Sequence, residues 1–310
     1  MFNWNRRWIL LGLSILLVLT WSYIILNKVV ITQPFSQVLE GNPEIIKVLF
    51  CDVHQGDAIL VISPDGETTL IDGGSGENPY QHFNAGNKVL LPLFKRWHIQ
   101  KLNRIVVSHP DQDHLGGLLT VLEHIPVNEV LDAIPNCTSP LYVQFKKLVA
   151  EKGIACRTLK AGDLLTLGKR VYAQVLWPID ITSEKSNNSS IVLRLTFGQI
   201  DFLLTGDIEK EVEGILSSQY GKQLDSEVLK VAHHGSKTSS TDIFLTDVAP
   251  ECSVISVGKK NPYGHPNADV VKRIGYFCRN IWNTSQSGHI MVLSNGKSWK
   301  VVEQKMGMGQ

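Results

Sequence analysis

Ser108-His109-Pro110-Asp111-Gln112-Asp113-His114-Leu115-Gly116-Gly117 is the segment on which the reading of the fold turns. It follows the apolar stretch Arg104–Val107, which predicts a strand, and precedes a helical pattern over Gly117–His124. Two imidazoles and two carboxylates fall within six residues on this strand-to-helix turn. Such a turn lets alternate side chains converge on one point, which a straight strand or helix does not. Convergent nitrogen and oxygen donors are what a divalent transition metal needs. Gly116-Gly117 lets the helix begin close to the site without a side-chain clash.

Four further strand ends carry the same kind of punctuation. Asp72 ends the strand Thr69–Ile71 and is followed by Gly73-Gly74. Asp207 follows Phe202–Thr205 and Gly206. His233-His234-Gly235-Ser236 follows Glu227–Val231, and His265 lies in Tyr263-Gly264-His265-Pro266, beyond the strand Ser253–Val257. In layered α/β proteins ligands sit at the carboxyl ends of strands. One such residue is ordinarily a turn or cap; the joint pattern points to a shared site.

Short apolar strands and amphipathic helices alternate from Glu44 to the end, with no long linker and no internal repeat. Strands are expected at Ile46–Phe50, Ala58–Ile62, Val171–Leu176, Ile191–Thr196 and Asp201–Thr205, with a closing hairpin around Asn295-Gly296. Helices are expected at Gly86–Trp97, Leu141–Lys152, Glu209–Ser218, Asp242–Asp247 and Ala268–Tyr276. One layered α/β domain over residues 44–304, followed by a tail at 305–310, is the simplest account. The 310 residues are 43% apolar and 19% charged, so wholesale disorder is excluded. Thirty basic against twenty-nine acidic residues give a net charge of +1, so any nucleic-acid binding rests on a local patch. The five cysteines, Cys51, Cys137, Cys156, Cys252 and Cys278, form no C-x-x-C pair, which excludes a zinc finger or redox dithiol and leaves a Cys137–Cys156 bridge open.

Arg6-Arg7 precede an uncharged run of 19 residues, Trp8 to Leu26. As a helix it spans about 28 Å, close to the hydrocarbon thickness of a bilayer. Trp8, Trp21 and Tyr23 stand near its ends, and Asn27-Lys28-Val29-Val30 lacks a small-x-small cleavage pattern. Residues 1–28 therefore read as one N-terminal transmembrane helix (an anchor or uncleaved signal), and 29–43 as a tether. The arginine pair places the N-terminus in the cytoplasm and the folded domain outside, on a single-pass cell-membrane topology.

The pattern resembles the metallo-β-lactamase superfamily, and within it the extracytoplasmic hydrolase domain of ComEC-type DNA-uptake (competence) proteins. The resemblance covers Lys47 to Val302 and is carried by Asp52-Val53-His54-Gln55-Gly56-Asp57-Ala58, Leu70-Ile71-Asp72-Gly73-Gly74, Ser108–Gly117, Leu204-Thr205-Gly206-Asp207, His233–Ser236 and Asn261-Pro262-Tyr263-Gly264-His265-Pro266. It implies a four-layer αββα sandwich with two divalent metal ions, zinc or manganese, at one edge. On it, His109 and Asp111 resemble first-metal ligands, Asp113 and His114 second-metal ligands, Asp207 the bridging carboxylate, His265 the late ligand histidine, and Asp72 the buried aspartate that orients the site. Two positions depart. Asn187-Asn188-Ser189-Ser190 stands where the superfamily supplies a further histidine, leaving the first site a ligand short, and His54 stands where this branch has glycine.

The expected activity is metal-dependent hydrolysis of a phosphodiester, with DNA as substrate in a competence-like setting. Asp113, His233 and His234 are the catalytic candidates, the histidines protonating the leaving oxygen or contacting the phosphate. Gly235, Ser236, Lys237, Thr238 and the following helix start are candidate phosphate donors, with Lys259 and Lys260 as a cationic patch. The chain lacks the many spans of a DNA channel, so a separate membrane channel protein is an expected partner. The same centre can cleave lactams, lactones or thioesters, and a non-catalytic DNA- or partner-binding module is the third reading.

Overall fold

The strand Ile46–Phe50 (β1) shows how the layers arise. Val48 and Phe50 belong to one buried apolar cluster and Leu49 to another. Ile59–Ile62 (β2) repeats the split, with Ile59 and Val61 on one side and Leu60 on the other. Side chains alternate across a strand with period two, so these runs can only be satisfied by a sheet covered on both faces.

The structure is a computed structural model that describes residues 44–77, 83–133, 137–180 and 187–304. After β1 and β2 the strands are Thr68–Ile71 (β3), Leu102–Val106 (β4), Val127–Asp132 (β5), Ala155–Thr158 (β6), Leu164–Thr166 (β7) and Tyr172–Trp177 (β8). Then follow Val192–Phe197 (β9), Ile200–Leu204 (β10), Val228–Lys230 (β11), Cys252–Ile255 (β12), Asn280–Asn283 (β13), His289–Ser294 (β14) and Trp299–Gln304 (β15). They form an eight-stranded sheet, β15-β14-β1-β2-β3-β4-β5-β6, and a seven-stranded sheet, β13-β12-β11-β10-β9-β8-β7. Val48, Phe50, Val61 and Val106 of the first sheet pack on Val175, Leu195, Phe202 and Val254 of the second.

Helices cover the outer faces. Leu91–Arg96 (α1), Gln112–His124 (α2) and Pro140–Glu151 (α3) bring Phe94, Leu118, Leu122 and Phe145 onto Leu49, Leu60 and Ile105. Lys210–Tyr220 (α4), Asp242–Val248 (α5) and Ala268–Phe277 (α6) bring Val212, Leu216, Phe244 and Ile274 onto Leu203 and Leu229. The architecture is therefore an αββα sandwich.

Strands β3 to β6 are mutually parallel, as are β10 to β13. Their carboxyl ends gather at one rim, which is where the motif residues lie. Helix α2 begins at Gln112 rather than Gly117, and β5, β6, β7 and β13 fall where the sequence pattern predicts no strand. All five cysteines are free, so the Cys137–Cys156 bridge is not formed. The expected transmembrane helix, tether and tail at 1–28, 29–43 and 305–310 lie outside the described residues. No helix among the described residues is long and apolar enough to cross a membrane.

Candidate active site

Each motif residue reaches the rim through a backbone device. Asp72, just past β3, holds φ 58°, a left-handed conformation that aspartate tolerates better than most side chains. Gly206, just past β10, holds φ 53°, and a Cβ there would lie 2.7 Å from Ser190 Cβ. His233 and His234 are consecutive left-handed residues at φ 50° and 53°. Non-glycine residues persist in such conformations where the surrounding structure over-determines them, and these cluster at functional sites. Asp111 caps α2 with extended φ and ψ, so Asp113 and His114 fall in the first turn.

These devices bring His109, His114, Asp113, Asp207 and His234 together. His114 Nε2 and His234 Nε2 each lie 3.2 Å from Asp207 Oδ2, and His234 Nε2 lies 3.4 Å from Asp113 Oδ2. Donor atoms of His109, His114 and Asp207 close to within 4.8 Å of one another, as do those of Asp113, His114 and His234, and those of Asp57, Asp207 and His234. The Asp111 carboxylate stands further out, 3.9 Å from His109 Nε2.

The second layer of contacts fixes which ring nitrogen faces the cluster. His114 Nδ1 donates to Asp72 Oδ2 at 2.8 Å, and His234 Nδ1 donates to the Ser256 carbonyl at 2.8 Å. Ser108 donates its hydroxyl to Asp72 Oδ2 at 2.5 Å, leaving its oxygen to accept from His109 Nδ1 at 3.1 Å. All three rings thus carry their proton on Nδ1 and turn Nε2 inward, and these buried Nε2 atoms have no hydrogen-bond partner. Histidines oriented this way by carboxylate, carbonyl or hydroxyl are the pattern of metal ligands.

The electrostatics agree. Burial, with His114 alongside, lowers His109 to about 4, so its lone pair is available at neutral pH. Burial also opposes charge on His234, but the carboxylates of Asp207, Asp113 and Asp57 outweigh it and raise it to about 10. Asp207 and Asp72 raise His114 well above its ordinary value against the same burial cost. Asp207 is held well below the usual carboxylate range, since His234, His114 and Lys230 outweigh its burial. A second proton on His114 and on His234 thus balances the buried carboxylates. A divalent cation brings equal charge to the same donors, so the residues present fit a metal.

Other predicted residues take different places. Ser190, in the segment where a histidine is expected, is buried and accepts from Asp207 N at 3.0 Å, with His109 Nδ1 at 3.3 Å. His265 is half-buried and outside the close donor groups among the described residues; its ring lies 6.4 Å from that of His234, and its Nδ1 has no partner. The late histidine nearest the carboxylates is therefore His234, which the sequence places among the acids, and not His265. His233 sits to one side, with Nδ1 3.3 Å from Glu209 Oε1. Gly235, at φ 77°, gives its carbonyl to Asn267 N. Ser236 is no phosphate donor here: its N–H bonds the His233 carbonyl and its hydroxyl pairs with Thr238. The start of α5 is also taken, because the buried Glu213 carboxylate accepts from Ser240 N and Thr241 N. Lys237, Lys259 and Lys260 are exposed. His54 adopts φ 62°, which accounts for glycine suiting that position, and its ring meets Phe83 at 4.4 Å.

Two residues of the cluster went unassigned in the sequence. Asp57 contacts His234 and His114 at 3.5 and 3.8 Å. Lys230 is fully buried at the end of β11, where its ammonium pairs with Asp57, lies 3.5 Å from Asp207 Oδ1 and donates to the Gly206 carbonyl at 3.0 Å.

The family model for the Metallo-beta-lactamase superfamily matches residues 51–259, spanning β1's end to the loop after β12. The chain belongs to the metallo-β-lactamase superfamily. Within the superfamily it is 33% identical over 260 residues to ComE operon protein 3 of Bacillus subtilis, covering 81% of this chain and 33% of that one. It is 31% identical over 241 residues to Recombination protein 2 of Haemophilus influenzae, covering 78% of this chain and 28% of that one. The chain thus spans a third or less of the length of these relatives, which are competence proteins of the ComEC type. Among solved structures, a mutant of the CmlA beta-hydroxylase is similar in fold, with TM-score 0.51 at 12% identity, covering 81% of this chain and 54% of that one. The αββα sandwich and the rim position of the histidines and aspartates are those of a metal-dependent superfamily hydrolase.

Proposed function

We propose that the chain is a metal-dependent phosphodiesterase acting on DNA, anchored to the membrane by Trp8–Leu26 and working beside a separate channel protein. The observation that carries the chemistry is the pair of inward Nε2 atoms of His114 and His234 on Asp207 Oδ2, with His109 and Asp113 beside them. Exposed Lys237, Lys259 and Lys260 on the neighbouring loops suit an anionic backbone. The names of the relatives, a competence-operon protein and a recombination protein, favour DNA over a lactam or thioester.

His109, His114, Asp113, Asp207 and His234 would hold the metal, with Asp111 and Asp57 at its margins. Divalent cations bound there would supply Lewis acidity to the phosphate and acidify the attacking water. Asp113, partly exposed at the rim, would orient that water and accept its proton. His233, propped by Glu209, hands a proton to the leaving oxygen. Asp72 and Ser108 keep His114 and His109 in the tautomers that the site needs. Lys230 holds Asp207 Oδ1 away from the cluster, so Oδ2 alone faces the histidines.

Ser190 in place of a histidine favours one second reading, a module that binds DNA without cutting it. The full chain incubated with end-labelled single- and double-stranded DNA and Mn²⁺ or Zn²⁺ separates the readings. Cleavage that a chelator and Asp207→Asn abolish is the expected result. Intact DNA with every metal rejects the nuclease, and turnover of a lactam or thioester in parallel assays assigns the acyl-hydrolase chemistry instead.

A further inference from the structure

Tyr263 stands on the loop between β12 and α6 with 67% of its surface exposed. Tyr276 is as open, at 74%, but it sits on α6, and among the described residues no ring contact ties it to a site histidine. Tyr263 differs because its ring stacks on His265, centroids 5.8 Å apart and planes 28° apart. His265 in turn lies 5.5 Å from the His233 ring and 6.4 Å from the His234 ring. An unbroken series of rings therefore runs from the metal-ligand cluster to an open aromatic face.

The loop that carries Tyr263 is fixed by one side chain. Asn261 Nδ2 donates to the carbonyls of Gly258 and His265 at 2.8 and 2.7 Å. Its Oδ1 accepts from Tyr263 N and His265 N at 3.2 and 3.0 Å. Every hydrogen-bonding capacity of the amide is used inside the loop. The base of the loop presses on the neighbouring turn, since a Cβ on Gly258 would lie 2.8 Å from Gln55 N and 3.0 Å from the His54 carbonyl carbon. Holding a large aromatic group rigidly in water beside a site meets the ordering cost of binding in advance. Exposed Lys259 and Lys260 begin the same loop.

We propose that Tyr263 is a stacking platform for a nucleobase adjacent to the phosphate at the rim, and that it selects single-stranded over duplex substrate. Bases in a duplex are occupied by their own neighbours, whereas an unpaired base offers a free π-face to a protein aromatic group. The phosphate at the rim rests on the phosphodiesterase reading above, but the stacking claim is measurable without turnover.

The test uses the full chain as wild type, Tyr263→Ala, Tyr263→Phe and Tyr276→Ala. Binding of a labelled single-stranded oligonucleotide is followed by fluorescence anisotropy in the presence of chelator, and cleavage is followed separately with Mn²⁺. A matching strand of abasic residues and a duplex serve as comparison ligands. Tyr263→Ala is expected to weaken binding of the base-bearing strand about tenfold while leaving the abasic strand and the duplex unchanged. Tyr263→Phe and Tyr276→Ala are expected to match wild type. Equal losses on base-bearing and abasic strands, no loss on either, or no single-strand binding by wild type overturns the proposal. Tyr263-dependent binding without any cleavage supports the platform and rejects the nuclease; cleavage with binding indifferent to Tyr263 does the reverse.

Discussion

Asp72 serves three groups with two oxygens. Oδ1 accepts from Ser108 N at 2.8 Å, and Oδ2 accepts from the Ser108 hydroxyl and from His114 Nδ1. Asn at this position keeps the left-handed backbone but replaces one acceptor with a donor. Asp72→Asn is therefore expected to lower metal affinity about 10–100-fold, measured by calorimetric titration against a competing chelator. Unchanged affinity would mean that Asp72 does not orient the ring. At this scale a glycine or a tight turn flags each of His109, Asp113, His114 and Asp207 in the sequence, and the structure brings them together. Asp57 was visible only as part of a motif. Lys230 left one signal, a charge inside the apolar run Val228–Val231, but a strand end does not reveal that two carboxylates await it. The resemblance implies His265 as the late ligand, and only the paired left-handed turns at 233 and 234 show that the His234 ring turns inward.

Helix α2 carries two glycines inside its first half, a composition that ordinarily discourages helix. That is why the sequence pattern places its start at Gly117. The backbone explains the exception: a Cβ on Gly117 would sit 2.1 Å from the Gly73 carbonyl oxygen, and one on Gly116 would sit 2.2 Å from Gly76 N. The helix lies directly on the loop after β3 and so carries Asp113 and His114 to Asp72. Gly117→Ala is expected to destabilise by about 3 kcal/mol or more, because backbone cannot move aside as a flexible side chain can. Gly214, exposed in mid-α4 with nothing within 4 Å of its Cβ position, gives the opposite result. Gly214→Ala is expected to stabilise by about 0.5–1 kcal/mol through reduced freedom of the unfolded chain. Denaturant unfolding of both variants checks the pair; shifts of the same sign would refute the docking argument. Three of the four strands missed in the sequence have physical causes in common. β6 is an edge strand with exposed side chains, β7 has three residues, and β13 is a polar edge strand, so none shows a two-sided apolar pattern.

Across the molecule, the two-sided burial of strands such as β1 and β2 made the layered fold legible, whereas the approach of the two sheets' rims depends on packing that no local pattern encodes. The start of β14 is tied to the segment just past β1 through His289, whose Nδ1 accepts from Asp52 N at 2.9 Å and so must be unprotonated. Burial, with Arg96 nearby, lowers it from the ordinary 6.5 to about 4. Its folded value lies below its unfolded one, so the unfolded chain takes up the proton first as pH falls. The stability contributed by neutral His289 is complete above about pH 6.5 and is lost progressively toward pH 4, by up to about 3 kcal/mol. His289→Asn, which keeps an acceptor but cannot titrate, is expected to show a shallower loss of melting temperature over that range; parallel curves would contradict the assignment.

The measurement closest to the centre of this account is anomalous X-ray scattering from crystals of the chain grown with Mn²⁺ and recorded on both sides of the manganese absorption edge. A peak enclosed by His109, Asp113, His114, Asp207 and His234 is the predicted result. Bound manganese elsewhere, or none at that rim under saturating metal, would contradict it.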